Sequence, residues 1–240
     1  GVSNLSNPEI LGLAFSPFDG GSPVTVYVAH NALFAQGGIT PTGPYPSNGQ
    51  VSVLTGPSFD VAVPLITGLP VSNHDHGING MVFDHNGDLL ITCGGNTNAG
   101  IADLLMGDLP ESPLSGAILK AELSNPLFNG TVTYVDSVSG LPDMDQRNGE
   151  MVDMVPGTHV TIHAPGFRNA FDMALATNGY LYATDNGANG GLGNGSSGPA
   201  SDSGLASGAD EILLVEEGVY YGHPNRNRGR FDAREYTYHD

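Results

Sequence analysis

Tryptophan is absent from this 240-residue chain, and cysteine and lysine occur once each, as Cys93 and Lys120. A single cysteine excludes any disulfide within the chain. Basic residues are scarce: seven Lys and Arg stand against 25 Asp and Glu, giving a formal net charge of −18. Such a chain repels phosphates, which argues against nucleic-acid binding. An acidic surface instead suits salty surroundings or cation binding. No apolar run approaches the roughly 20 residues that span a bilayer, and long helical periodicities are missing. Glycine, with 35 residues, and proline, with 17, are what the chain has in plenty. That composition predicts many short strands joined by turns, at a length that suits one all-β domain over 1–240.

The most informative stretch runs from Asn73 to Asn96. It holds Asp75 and His76, an apolar strand Gly80-Met81-Val82-Phe83, a turn Asp84-His85-Asn86-Gly87, and a second strand Leu89-Leu90-Ile91-Thr92. Asn-Gly between apolar runs is a strong hairpin signal, because the central turn residues must tolerate positive φ. The pattern recurs upstream as Gly12-Leu13-Ala14-Phe15, a turn through Asp19-Gly20-Gly21, and Val24-Thr25-Val26-Tyr27-Val28. Downstream it recurs as Asp172-Met173-Ala174-Leu175, Ala176-Thr177-Asn178-Gly179 and Tyr180-Leu181-Tyr182-Ala183-Thr184. Three such units are an internal repeat. Phe15, Phe83 and Leu175 are 68 and 92 residues apart, more than the roughly 40–50 of one propeller blade. The excess must sit in loops or extra strands.

Superposing the repeats aligns His76, four residues before Gly80, with Arg168, four residues before Asp172. The first strand of every propeller blade lines the central channel. A histidine and an arginine in that register therefore converge over one funnel.

In chain order, residues 50–54 and 61–65 are expected as the outer strands of a first blade. Residues 116–121 and 131–135 are expected to complete a second. A short helical turn is expected at 102–106, a surface loop at 141–156, a strand at 158–163 leading into the third hairpin, and an outer strand at 210–215. Residues 187–208, nearly all Gly, Ser, Asn and Ala, read as a flexible loop. Cys93 reads as a packed residue. Sequons at Asn4, Asn129 and Asn194, with the scarcity of lysine, lean toward a secreted glycoprotein.

Five runs carry a more specific signal: Asp75-His76; Gly166-Phe167-Arg168-Asn169; Asp185-Asn186-Gly187-Ala188-Asn189; Asp210-Glu211-Ile212; and Tyr221-Gly222-His223-Pro224. In this order they resemble the glucose/sorbosone dehydrogenase family over roughly residues 7–224. The resemblance implies a six-bladed β-propeller of four-stranded antiparallel blades, of which about four are expected here, with both ends of the ring incomplete. It implies that a further segment or another chain completes the ring. It also implies pyrroloquinoline quinone (PQQ) and calcium as cofactors, and oxidation of a sugar or related alcohol by hydride transfer to PQQ. On the matching positions, His76 is the expected general base and Arg168 the group facing the quinone oxygens. Asp75, Asn169 and Asn7 are expected at the cofactor. The carbonyls of Gly187 and Ala188 are expected at the cofactor-linked calcium, and Asp210 and Glu211 at a second calcium. Where the family carries proline after the calcium-binding glycine, this chain has Ala188.

The residues leave alternatives open. His76 can be an ordinary loop histidine. His74 and His76 form a His-x-His pair of the kind that binds zinc or copper, but no third ligand is evident. Arg168 can merely bridge blades, and Asp210-Glu211 can be a solvated strand start. A non-catalytic extracellular propeller that binds a protein or glycan is the competing function.

Overall fold

A computed structural model describes residues 9–18, 20, 24–32, 47–100, 102–144, 151–190 and 208–225. Among them the chain is nearly all β, with four antiparallel sheets and one 3₁₀ turn at Leu104–Met106, inside the expected 102–106. The first sheet is a four-stranded meander, β1 (Glu9–Phe15), β2 (Val26–Asn31), β3 (Gly49–Thr55) and β4 (Val61–Leu69). The second pairs β5 (Ile78–Phe83), β6 (Leu89–Cys93), β7 (Ala117–Ala121) and β10 (Val160–Pro165) in that order. The third holds β11 (Ala170–Leu175), β12 (Leu181–Asp185) and β13 (Glu211–Val215). A ribbon of β8 (Tyr134–Asp136) and β9 (Val152–Met154) stands apart.

The hairpin turns form as their residues require. Asp84 Oδ1 accepts from the Asn86 and Asp88 amides, and Gly87 takes φ 89°. The third unit closes the same turn with backbone bonds, Ala176 N to Tyr180 O and Gly179 N to Ala176 O, with Gly179 at φ 87°. Two expectations need correction. Residues 131–135 are not the outer strand of the second blade. Instead, Thr67 N donates to Gly130 O and Val132 N to Thr67 O, so this segment runs beside β4 of the first blade. Its continuation, β8, pairs with β9, which lies inside the expected surface loop 141–156. The outer strand of the second blade is β10, which overlaps the expected strand at 158–163 and, as expected, leads into the third hairpin.

The blades stack through alternating faces. Leu89, Ile91 and Cys93 of β6 join a core with Ala14, Ala29, Val51 and Phe83, while Leu90 joins one with Ile118, Phe167, Met173 and Leu181. Tyr27 of the first blade meets Phe83 of the second edge to face, centroids 5.0 Å apart. The innermost strands, β1, β5 and β11, lie side by side. Two glycines allow this approach. A Cβ on Gly12 would overlap the Asn79 carbonyl, and one on Gly80 would stand 2.8 Å from the Asp172 Cα. Gly12→Ala is therefore expected to lower stability by about 1–3 kcal/mol, the usual cost of overpacking. The urea midpoint measures it, and an unchanged midpoint contradicts the close approach.

All three inner strands carry a register shift near their start, at Ile10/Gly12, Ile78/Met81 and Ala170/Asp172. Such irregularities re-aim side chains at the rim of a sheet. His76 lies two residues before β5 and Arg168 two before β11, so each side chain leaves from the same point of its blade.

Candidate functional site

His76 and Arg168 meet on one loop, residues 94–98, which leaves β6. The His76 Nδ1 is 2.8 Å from Gly95 O. A carbonyl only accepts, so Nδ1 carries the proton and the lone pair of the neutral ring sits on Nε2. That Nε2 lies 3.5 Å from Asp75 Oδ1. The amide of Gly95 donates to Arg168 O at 2.7 Å. The Arg168 guanidinium donates to Asn98, through Nη2 to Oδ1 at 2.8 Å and Nε to the carbonyl at 3.1 Å. Asn98 Oδ1 also accepts from the Asn189 amide at 2.9 Å.

Glycines let these groups crowd together. A Cβ on Gly94 would lie 2.6 Å from Asn169 Oδ1 and 2.8 Å from the His76 Cβ. Asn169 Oδ1 accepts from Asn79 at 3.0 Å, and its amide donates to Asn186 Oδ1 at 3.2 Å. Asp185 caps the chain here, accepting from the amides of Arg168 (3.0 Å) and Asn169 (2.8 Å). Asn79, Asn98 and Asp185 were missed as site residues in the sequence. Only Asp185 carried a signal, as the start of a quoted run.

Burial and charge set the protonation states. His76 is 2% exposed. Burial, and then the Arg168 charge, push its pKa down to about 4, against the opposing pull of Asp75 and the Gly95 hydrogen bond. For Asp75, burial acts upward, but His76, His74 and Arg168 outweigh it and hold the carboxyl below its usual range. Burial raises Asp185, opposed by its two backbone hydrogen bonds. At neutral pH the site thus presents an anionic Asp75, a neutral His76 with its lone pair on Nε2, and a cationic Arg168.

The remaining expected positions fall as follows. Asn7 lies outside the described residues. Gly187 N donates to Asp210 Oδ1 at 3.0 Å, and Ala188 O accepts from Gly208 N at 2.7 Å. Gly187 and Asp210, expected at two separate calcium positions, are therefore neighbours. Glu211 begins β13 opposite Asp185. His74 Nδ1 sits 2.8 Å from Asp75 Oδ1. Among the described residues no group of three or more His, Cys, Asp or Glu could hold a metal, so His74 and His76 find no third ligand of those types. Of the sequons, only Asn129 is described. It is exposed, with its amide donating to Gly157 O at 3.0 Å. No described helix is long and apolar enough to cross a membrane.

Comparison with solved structures identifies the architecture. The PQQ-bound aldose sugar dehydrogenase from Streptomyces coelicolor superposes with a TM-score of 0.52 at 18% identity, over 93% of this chain and 50% of that one. A glucose dehydrogenase superposes at 0.51 with 16% identity, over 90% of this chain and 49% of that one. A putative oxidoreductase (glucose dehydrogenase) from Thermus thermophilus gives 0.50 at 20% identity, over 93% of this chain and 55% of that one. The chain has the β-propeller fold of these sugar dehydrogenases. It spans about half the length of each. At such identity the likeness establishes the fold, and the dehydrogenase chemistry has to be argued from the side chains. No family model matches the sequence, and no curated protein matches it.

Proposed function

We propose that this chain carries the site of a quinoprotein oxidoreductase, which oxidises a sugar or related alcohol with PQQ as hydride acceptor. One observation carries the reading: His76 is pinned through Nδ1 with its lone pair left on Nε2, beside a buried Arg168 held on the same loop. The donor set fits a flat, polyanionic quinone. Arg168 and Asn169, with Asn79 alongside, would hold its anionic edge. The carbonyls of Gly187 and Ala188 with Asp210 offer calcium the hard oxygens it takes, and Glu211 stands next to them. When bound, PQQ supplies the two-electron acceptor that turns a C–OH into C=O.

The chain's own residues handle the proton. His76 Nε2 takes it from the substrate hydroxyl, while the Nδ1–H bond to Gly95 O keeps the ring from turning. Asp75, 3.5 Å away, stabilises the imidazolium that results. Arg168 offsets negative charge developing beside it. Large apolar side chains exposed on the first blade (Leu13, Phe15, Val61, Val63) and on the third (Ile212, Leu214) are where further blades or another chain would pack. A secreted location accords with the acidic, lysine-poor composition.

A protonated His76 cannot accept a proton, so activity is lost below its pKa. With that value pushed down to about 4, kcat/KM is expected to stay level through the ordinary histidine range and fall only near pH 4. A half-maximum near the ordinary histidine value of about 6.5 contradicts the buried, arginine-flanked base. The function itself is tested by dye reduction with calcium, PQQ and a panel of sugars. Sugar-dependent reduction supports it.

One observation favours a second reading. His76 and Arg168 are only 2% and 5% exposed, as they would be in a non-catalytic propeller that binds a protein or glycan elsewhere. Failure to bind PQQ leaves that reading standing.

A further inference from the structure

Behind the loop at 94–98 lies a second buried constellation, centred on Glu111. This carboxylate comes from the insertion between β6 and β7 and is 4% exposed. Its Oε1 accepts from the Thr97 amide at 3.0 Å, the Thr97 hydroxyl at 2.6 Å and His223 Nε2 at 2.7 Å. Its Oε2 accepts from the Asn96 amide at 3.1 Å and from the Ser115 hydroxyl. His223 follows the third blade's last described strand, and its own amide donates to Gly166 O at 2.7 Å. Thus one carboxylate joins the second blade to the segment that closes over the third.

The placement of these bonds matters. Asn96 and Thr97, whose amides Glu111 holds, sit between Gly95, which anchors His76, and Asn98, which anchors Arg168. A Cβ on Gly95 would lie 2.7 Å from His223 Nε2 and 3.0 Å from Glu111 Oε1, so the pair packs directly against the residue whose carbonyl fixes the His76 ring. We propose that Glu111 and His223 are positioning residues, a buried latch that holds the 94–98 loop so that His76 keeps its Nδ1–H tautomer and Arg168 its place. The inference deepens the site reading above and rests on it for the consequence in activity, although not for the structural effect.

The electrostatics agree with the geometry. Burial acts to raise the Glu111 pKa, but the His223 charge and the hydrogen bonds from His223, Ser115 and Thr97 outweigh it and hold it at about 2. Glu111 is therefore an anion in need of its full donor set. Glutamine in its place has one accepting oxygen and turns an NH₂ toward donors, leaving part of the set opposed. The charges that act on His76 include those of Asp75, Arg168 and His223, and Glu111 itself packs against the Gly95 that holds the ring.

The test reads His76 itself, in the whole chain, by ¹⁵N NMR of its imidazole, with no cofactor or substrate needed. Wild type is expected to show one neutral tautomer, protonated at Nδ1. Glu111→Gln is expected to show averaging between the two neutral tautomers of His76. His223→Gln, which keeps an N–H donor, should retain the wild-type pattern, and His223→Leu should lose it. An unchanged His76 spectrum in folded Glu111→Gln overturns the proposal. Where that variant does not fold, an unchanged spectrum in His223→Leu overturns it. With dye reduction as a second readout, Glu111→Gln is expected to lose on the order of 10²-fold in kcat/KM, the scale of a small misplacement of reacting groups. A wild-type chain that reduces no dye overturns the dehydrogenase reading alone and leaves the NMR result to decide the latch.

Discussion

His76→Asn is expected to abolish sugar-dependent dye reduction while leaving the fold intact. The asparagine amide can still donate to Gly95 O, so the buried hydrogen bond to the 94–98 loop survives. What disappears is Nε2, the only basic nitrogen His76 presents, since Nδ1 is committed at 2.8 Å to that carbonyl. Losing a positioned proton acceptor costs roughly 10²–10⁴ in rate. The measurement is kcat with saturating PQQ and calcium, beside circular dichroism to confirm the fold. Activity within about tenfold of wild type, well short of that cost, would show that another group takes the proton. His76→Ala should be as inactive but less stable, because it also leaves the buried Gly95 carbonyl without its donor.

Arg168→Gln carries the second large effect, and it acts twice. First, it removes the cation beside the site, which by analogy with loss of an oxyanion donor costs about 10²–10³ in kcat. Second, Arg168 is among the causes that hold the His76 pKa down. Without it the value rises toward the ordinary histidine range, so the acid limb of the remaining activity moves up in pH. A lost rate with an unmoved limb would mean that Arg168 acts on the cofactor alone. A moved limb with full rate would mean that it tunes the base and nothing else.

The sequence made the hairpins and the site register legible for a local reason. Asn86-Gly87 and Asn178-Gly179 dictate their turns without help from the rest of the chain, and the repeat then aligned His76 with Arg168. The two meet because equivalent strands β5 and β11 lie side by side. The stretch 131–135 was illegible because its Thr and Val run has strand propensity with no indication of partner. Gly68 and Thr67 of the first blade receive it, which only the tertiary arrangement decides. Glu111 was invisible for a similar reason. It is one acid in an insertion of Pro, Ser and Leu, and its importance comes from five donors that arrive from three separate segments. Asn98 was illegible as well, since nothing in the sequence ties it to an arginine 70 residues on.

The central claim is that the groups gathered on the 94–98 loop form a PQQ site. A titration of the chain with PQQ, with and without calcium, followed by the absorbance of the quinone, addresses it most directly. The expected result is saturable binding of one PQQ per chain that requires calcium, is retained in His76→Asn and is lost in Arg168→Gln. Absence of binding, or binding indifferent to Arg168→Gln, would contradict the account.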